Sequence, residues 1–271
     1  MHRFFLDSAA GFPPPAAGDD PSALDPGAVV ELTGSDAEHI ARVLRLARGD
    51  RIVVCDGQGS DYEAELLTVN PARVAARVLS RQPSRGEPPV FLTIVQGIPK
   101  GDKMDLVVQK AVEAGASRIV PVFTARTVVV WDEAKSESRW RRWQRIAYEA
   151  AKQAHRGRVP QVAPPVSLPA FLAARGEEED DFGHVIVPWE EARGRGLRAV
   201  LRGLSPGPVT VLIGPEGGLS PEEVAAAEER GAHIVTLGPR ILRTETAGLV
   251  AATIILYEWG DLGGLAPGSS A

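Results

Sequence analysis

The spacing of hydrophobic residues changes near residue 82 and divides the chain into two regions. In the first region, apolar and polar positions alternate in three short runs, RIVVCDG, DYEAELLTV and ARVAARVLSR. A period of two is typical of half-buried strands, and the Gly, Asn and Pro between the runs favour turns. Residues 1–81 are therefore predicted to form a small antiparallel β-barrel.

A helical pattern precedes these strands. In the segment 36–50, apolar residues recur at the spacing of one helix face, with Ser35 or Asp36 as the candidate N-cap and Gly49 as the candidate terminator. The Pro-rich stretch Gly11–Gly27 shows no such period, and we expect an exposed loop there.

The second region follows a linker, 82–89, whose sequence QPSRGEPP is expected to continue neither a strand nor a helix. Beyond it, helical segments alternate with strand-like runs, which are VFLTIVQGI, RIVPVF, HVIVPWEE, VTVLIGPEGG and HIVTLGPRIL. This alternation predicts an α/β fold with a mostly parallel sheet, here over residues 90–262. One long helix is predicted from Ser136 to about Arg156, and residues 263–271 are expected to be a disordered tail.

Composition excludes several classes of protein. The single cysteine, Cys55, excludes a disulfide framework and is predicted to be a small core residue, and the five histidines lack metal-ligand spacing, so no metal site is expected. The longest near-apolar stretch, Ala247–Tyr257, is shorter than the ~18 residues of a membrane span. The opening MHRFFLDS lacks a secretory signal, so we expect a cytoplasmic protein without a membrane segment.

The distribution of charge is uneven. A formal net charge of −5 argues against a protein that coats nucleic acid non-specifically. Between Lys135 and Arg158, however, eight basic residues stand against two acidic ones, while Glu177–Asp181 forms an acidic run. Such asymmetry is typical of an RNA-facing surface on an acidic enzyme, although a solvated amphipathic helix would produce the same pattern.

A glycine-rich loop follows the strand-like run VTVLI. Its sequence, GPEGGLSPEE, is neither a dinucleotide fingerprint nor a phosphate-binding loop, and Glu216 would repel a pyrophosphate. A ligand here should be cationic or bind through a base and ribose, because Gly214, Gly217 and Gly218 let the backbone approach a flat ring closely. The alternative is a tight strand-to-helix turn in which Ser220 caps the next helix.

A second dense segment, LGPRILRTETA, follows the last strand-like run. Charged and hydroxyl side chains beside buried segments are costly unless they are paired, so their density here indicates a site. The structural alternative is an internal ion pair between Arg243 and Glu245 or Glu216.

Four segments together closely resemble the bacterial small-subunit ribosomal RNA uridine-N3-methyltransferases, the RsmE family of the SPOUT class. They are KGDKMDLVVQKAVEAGASRIVPVFTART, EAAKQAHRGRVP, IGPEGGLSPEE and LGPRILRTETA, and the amino-terminal HIARVLRLARGD resembles the PUA-like RNA-binding barrel of that family. The resemblance covers nearly the whole chain in order. It implies a SPOUT-type, mostly parallel sheet with a trefoil knot, preceded by a PUA-like small β-barrel.

The resemblance also implies S-adenosylmethionine as methyl donor and a homodimer in which the partner completes each site. The implied substrate is uridine 1498 in the decoding region of 16S ribosomal RNA, within the small ribosomal subunit. Three loops, 187–190, 212–218 and 237–247, would hold the cofactor. The expected contact residues are Val187, Pro188, Leu212, Ile213, Gly214, Glu216, Gly217, Gly218, Leu237, Gly238, Ile241, Leu242, Thr244 and Ala247.

Methylation of N3 requires removal of the imide proton, and a nearby cation favours this step by stabilising charge on O2 or O4 of the base. Arg243 is the candidate cation, and either Glu245 or Glu216 is the candidate proton acceptor. Since N3 lies on the Watson–Crick edge, the base must be unpaired before it can react. The candidates for phosphate contacts are Arg42, Arg45, Arg156 and Arg158, for which an exposed face without a ligand is the alternative.

Two other functional classes remain open from the residues alone. An RNA-binding module without catalysis would need the basic surfaces but not the Gly-Pro loops. A transferase that acts on another small molecule would need those loops but neither the barrel nor the basic helix.

Overall fold

The computed structural model describes residues 1–6, 24–174 and 182–263. Residues 11–23 of the expected loop, the acidic run Glu177–Asp181 and residues 264–271 of the expected tail lie outside this range. Two compact units are present. The first comprises Met1–Glu87 and Ala151–Val159, and the second comprises Pro88–Ala150 and Pro160–Ala271.

The first unit is built on a five-stranded sheet that curls into half a barrel. Its strands lie in the order β1-β3-β4-β5-β2, and β1 runs parallel to β3 while the other pairs are antiparallel. The three strands predicted from the sequence, β3, β4 and β5, pair antiparallel as expected, whereas β1 adds a parallel pair that the sequence pattern did not predict. The strands are β1 (Arg3–Phe5), β2 (Val29–Thr33), β3 (Arg51–Cys55), β4 (Ser60–Asn70) and β5 (Arg73–Pro83).

Inward-facing residues of these strands form the core of the unit, as their alternating pattern requires. Leu32, Ile52, Val54, Leu66 and Val74 are fully buried there. Cys55 is also buried, which confirms its predicted place in the core, and burial is the main reason that its pKa is raised to about 12.

The predicted helix at 36–50 is shorter in the structure. Helix α1 spans Gly34–Glu38, continues as a π-helical turn over His39–Val43, and begins after Thr33 rather than at the predicted caps. Arg45 has a φ of 53°, a left-handed conformation that ends the helical segment before Gly49. The sequence pattern carries no signal for that backbone reversal.

The predicted linker also differs from the structure, since β5 continues through Gln82 and Pro83. Pro83 pairs with Ser60 at the end of the ladder, where the missing N–H of proline is tolerated. Four residues later, Glu87 accepts hydrogen bonds from the Arg156 side chain and from the backbone N–H groups of Gly157 and Arg158. Glu87 therefore fixes the segment 156–158 within the first unit.

The second unit is built on a parallel sheet, as predicted. Its order is β12-β10-β11-β6-β7-β8, and β9 also pairs with β7. Central strands β6 and β11 are buried at every position, which explains why apolar residues predominate in both. The strands are β6 (Leu92–Gly97), β7 (Arg118–Phe123), β8 (Gln161–Val162), β9 (Val166–Ser167), β10 (His184–Pro188), β11 (Val209–Ile213) and β12 (His233–Val235).

Helices connect these strands. The long helix α3 begins three residues before its predicted start, and α7 begins with Thr244 directly after the Arg243 N-cap. Small and apolar residues of α7 are buried in the core of the unit, among them Ala251, Ala252 and Ile255. The helices are α2 (Lys103–Glu113), α3 (Glu133–Gln153), α4 (Leu168–Ala174), α5 (Leu197–Leu201), α6 (Pro221–Glu228) and α7 (Thr244–Glu258).

Glu87→Gln is expected to lower the free energy of unfolding by about 3 kcal/mol, because the guanidinium of Arg156, which is 3% exposed, would lose its buried counter-charge. Urea denaturation measures this change. Glu38→Gln is the matched control, since the exposed pair with Arg42 should contribute less than about 0.5 kcal/mol. Equal effects of the two substitutions would contradict the role assigned to Glu87.

Candidate functional site

Three neighbouring strands of the parallel sheet end at the same edge. Since β10, β11 and β6 are adjacent and parallel, Pro188, Ile213 and Gly97 lie side by side at their carboxyl ends. Ligands of open α/β sheets bind at this edge. The loops that follow these strands therefore form the candidate site.

Close backbone contacts shape the loop that follows β11. A Cβ on Gly97 would lie 2.6 Å from the backbone nitrogen of Pro215, and a Cβ on Gly214 would lie 2.6 Å from the carbonyl carbon of Gly218. Gly218 has a φ of 71°, and a side chain there would overlap the Glu190 carboxylate. Glycine is thus required where this loop crosses its neighbours.

The end of the same loop is fixed by capping. Ser220 is the N-cap of α6, and its Oγ accepts a hydrogen bond from the N–H of Glu223, while the Glu223 carboxylate accepts one from the N–H of Ser220. The predicted cap is confirmed. In addition, the guanidinium of Arg126 donates to the carbonyl oxygen of Gly217 at 2.7 Å, so the segment after β7 supports the loop from outside.

A buried polar network joins this loop to the start of α7. The Thr244 hydroxyl donates to the carbonyl oxygen of Gly214 at 2.6 Å, and it accepts a hydrogen bond of 2.8 Å from Gln96 Nε2. Gln96 is fully buried, and the same amide nitrogen also donates to the carbonyl oxygen of Gly97. Strand β6, the loop after β11 and helix α7 are therefore held together at a single point.

A cluster of charged side chains lies beside this network. Lys103 Nζ is 2.9 Å from Glu216 Oε1 and 3.7 Å from Glu245 Oε2, so the first residue of α2 bridges the two candidate proton acceptors. The backbone N–H of Lys100 donates to both carboxylate oxygens of Glu216. We call Lys103, Glu216, Glu245 and the neighbouring Arg243 the charged cluster.

The contacts within the charged cluster set the protonation of two of its members. Burial tends to raise the pKa of Glu216, but the hydrogen bonds from Lys103 and from backbone N–H groups outweigh it and hold that pKa below its usual value. The hydrogen bond to Glu216 is the main reason that the pKa of Lys103 is raised. At neutral pH both residues are charged.

The ion pair that the sequence suggested between Arg243 and Glu245 or Glu216 does not form in the structure. Arg243 pairs with neither Glu216 nor Glu245; Lys103 contacts both carboxylates instead. Among the described residues, the guanidinium of Arg243 has no hydrogen-bond partner, and the residue is exposed at the N-cap of α7. Its charge is therefore available to a ligand at this edge.

The structure brings the predicted cofactor residues together at the ends of β10, β11 and β12 but assigns them different exposures. Val187 and Leu212 are fully buried in the core. Ile241 is 86% exposed, and Thr244 binds Gly214 within the protein. The other exposed or half-exposed members of the set are Pro188, Gly214, Glu216, Gly217, Gly218, Leu237, Gly238, Leu242 and Ala247.

The arginines predicted to contact RNA phosphates also differ in exposure. Arg42 and Arg45 are exposed next to α1, and Arg158 is exposed beside Gly59. Arg156 is buried and paired with Glu87. Its predicted phosphate contact is therefore wrong for this conformation, because a guanidinium enclosed in this way serves the fold.

Two kinds of feature are absent from the described part of the chain. Within it, no group of three or more His, Cys, Asp or Glu side chains is placed to hold a metal ion. None of its helices is both long enough and apolar enough to cross a membrane.

Sequence reasoning missed two residues of this site. Gln96 interrupts an otherwise apolar buried strand, and a polar side chain in such a run signals a specific partner. Lys103 opens a helix, where a cation opposes the helix dipole unless carboxylates compensate it. Both signals are visible in the sequence, but neither identifies the partner.

Thr244→Val is expected to lower the free energy of unfolding by about 2 kcal/mol, because it removes the buried hydroxyl that accepts from Gln96 Nε2 and donates to the carbonyl oxygen of Gly214. Thermal unfolding measures the loss. Thr244→Ser retains the hydroxyl and is the matched control. If both variants unfold alike, the hydroxyl does not join these elements.

Comparisons with known proteins identify the family of both units. Residues 86–256 match the model of an RNA methyltransferase domain, and residues 32–79 match that of an RNA methyltransferase PUA domain. The ribosomal RNA small subunit methyltransferase E of Bacillus subtilis is 36% identical over 232 residues, which cover 84% of this chain and 89% of the relative. The enzyme of the same name from Mycobacterium bovis is 36% identical over 84% of this chain and 86% of its own length.

Solved structures agree with the sequence comparisons. The crystal structure of ribosomal RNA small subunit methyltransferase E from Neisseria gonorrhoeae, bound to S-adenosylmethionine, superposes with a TM-score of 0.80 at 32% identity and covers 97% of this chain and 100% of that one. A Legionella pneumophila protein in complex with the same cofactor reaches a TM-score of 0.76 at 28% identity, over 94% of this chain and 97% of that one. The chain belongs to the RNA methyltransferase family that includes the ribosomal RNA small subunit methyltransferase E proteins.

Proposed function

We propose that this protein is an S-adenosylmethionine-dependent methyltransferase that acts on N3 of uridine 1498 in 16S ribosomal RNA of the small ribosomal subunit. The observation that carries the proposal is the charged cluster at the ends of the parallel strands, in a chain whose family match extends over both units. The precise base and atom come from the resemblance to the RsmE family.

The residues at the strand ends fit this cofactor. The loop after β11 offers carbonyl groups and the Glu216 carboxylate, while the guanidinium of Arg126 is turned to the carbonyl oxygen of Gly217. These acceptor oxygens suit a sulfonium cation and an ammonium group better than a phosphate. We place the cofactor against the backbone of 187–190, 212–218 and 237–247, where a side chain on Gly238 would meet open space, so that a flat adenine ring can approach the backbone there.

The cofactor supplies an electrophilic methyl group, and the remaining steps depend on the protein. The guanidinium of Arg243 would stabilise negative charge on O2 or O4 of the uracil ring as N3 loses its proton. A carboxylate of the charged cluster would accept that proton. Alignment of N3 with the methyl carbon makes the transfer effectively unimolecular.

Recognition of RNA falls to the first unit in this proposal. Its family match is to a PUA domain, and its exposed arginines Arg42, Arg45 and Arg158 would contact phosphates. Formation of a homodimer and the trefoil knot remain predictions from the family resemblance. The cytoplasm, where ribosomal subunits are assembled, remains the predicted location.

Transfer of labelled methyl groups from S-adenosylmethionine to small ribosomal subunits that lack the modification tests this function. Mass spectrometry of the digested RNA should reveal 3-methyluridine at a single position. Methylation of a different base or of the ribose would contradict the proposal.

Arg243→Ala should lower the rate of methyl transfer about 100-fold, because the cation that stabilises developing charge is removed. Cofactor affinity should remain within a few fold of the unsubstituted protein, and calorimetry measures it. Arg230→Ala, which removes an exposed arginine of the same unit, is the control. Loss of cofactor binding in Arg243→Ala would instead place this residue in the cofactor pocket.

Replacement of Arg45 and Arg158 together by alanine should weaken RNA binding and reduce the slope of log affinity against log salt. The reduction should be about 0.7–0.9 for each phosphate that the variant no longer neutralises. Filter binding at several salt concentrations measures the slope. Arg202→Ala provides a control in the second unit, where the arginine is paired with Glu258. An unchanged slope in the double variant would show that these arginines do not bind phosphates.

A further inference from the structure

The two glutamates of the charged cluster have unequal hydrogen bonding. Glu216 accepts three interactions, from the backbone N–H of Lys100 to both oxygens and from Lys103 Nζ at 2.9 Å. Glu245 is 16% exposed, and its Oε2 has no hydrogen-bond partner among the described residues, since Lys103 Nζ is 3.7 Å away. A buried carboxylate oxygen without a donor is costly unless a ligand supplies one.

Lys103, which contacts both glutamates, stands at a position that is unfavourable for a cation. As the first residue of α2, it places a cation at the positive end of the helix dipole, which is unfavourable in isolation. Two carboxylates that are distant in sequence, those of Glu216 and Glu245, offset that cost. A local conflict of this kind is retained where a site depends on it.

We propose that Lys103 is a positioning residue that neutralises Glu216 and thereby leaves Glu245 as the acceptor of the imide proton. This inference rests on the proposed function. Lys103 itself cannot accept the proton, because the hydrogen bond to Glu216 raises its pKa and keeps it protonated. Glu216 is a poor acceptor because its lone pairs already face donors and its pKa is lowered.

The step balances within the site. The proton leaves N3 for the carboxylate of Glu245, and the lone pair of N3 forms the new bond to the transferred methyl carbon. The electron pair of the broken sulfur–carbon bond stays on sulfur, which loses its positive charge. Glu245 then releases the proton to water. Throughout this step, Lys103 cancels the charge of Glu216, which would otherwise oppose the negative charge that develops on the base.

Single-turnover methylation of small ribosomal subunits at saturating cofactor tests the assignment. Glu245→Gln should lower the rate at least 100-fold, and its residual rate should rise about tenfold per pH unit, because hydroxide replaces the missing acceptor. Glu216→Gln should lower the rate less than about tenfold and keep the pH profile of the unsubstituted protein. The reverse ranking of the two glutamates, with the steep profile in Glu216→Gln, would overturn the proposal.

The role of Lys103 has a separate test in the same assay. Lys103→Met should lower the rate at least tenfold with little change in KM, since the charge of Glu216 is no longer cancelled. Lys103→Arg should restore most of the rate, and Lys110→Met, on the same helix, should leave the rate unaltered. Adding Glu216→Gln to Lys103→Met should raise the rate above that of Lys103→Met alone. Additive losses would show that Lys103 does not act through Glu216.

A measurement without substrate separates this inference from the proposed function. Carbon-13 NMR of labelled glutamate side chains follows the titration of Glu216 in the whole protein, with assignments from the Glu→Gln variants. The pKa of Glu216 should rise in Lys103→Met and return towards its original value in Lys103→Arg. If the protein transfers no methyl group to the RNA, the proposed function fails while this titration still decides whether Lys103 neutralises Glu216. An unchanged pKa of Glu216 in Lys103→Met would overturn that role.

Discussion

The hydroxyl of Thr244 is the contact on which the site depends. It donates to the carbonyl oxygen of Gly214 and accepts from Gln96, and so it joins the start of α7 to the ends of β11 and β6. Arg243 and Glu245 flank Thr244 in sequence, so this buried hydrogen bond also sets their positions. In a buried environment the loss of such a partner is expensive, which keeps the three elements in one arrangement.

Charge is distributed around this point in a way that suits the chemistry of methyl transfer. Lys103 joins two carboxylates, while Arg243 keeps its charge exposed at the N-cap of α7. Because one lysine faces two carboxylates, these three residues keep a net negative charge that favours a cationic cofactor, while the exposed Arg243 favours an anionic base. Because Glu216 pairs with Lys103 and not with Arg243, the charge of Arg243 stays available to an anionic base at the same site as a cationic cofactor.

Much of this organisation follows from the sequence. The mostly apolar runs at 92–97 and 209–213 indicate buried strands of a parallel sheet, and the SPEE segment indicates the cap at Ser220. The contacts of the site cannot be predicted from the sequence pattern, because their partners are far apart along the chain. Gln96 and Thr244 are 148 residues apart, and Lys103 and Glu216 are 113 residues apart. The early end of the helical segment before the left-handed Arg45 and the burial of Arg156 against Glu87 also depend on tertiary contacts. The local sequence pattern predicts helices and strands, whereas the contacts between their ends are set only when the chain folds.

Hydrogen–deuterium exchange with and without S-adenosylmethionine tests most directly whether these strand ends form one cofactor site. Protection should be confined to the loops at 187–190, 212–218 and 237–247, because their backbone N–H groups lie at the same edge of the parallel sheet. Residues 24–87 of the first unit should exchange at the same rate in both conditions. Protection concentrated in the first unit, or absent from the loop at 212–218, would contradict this account of the site.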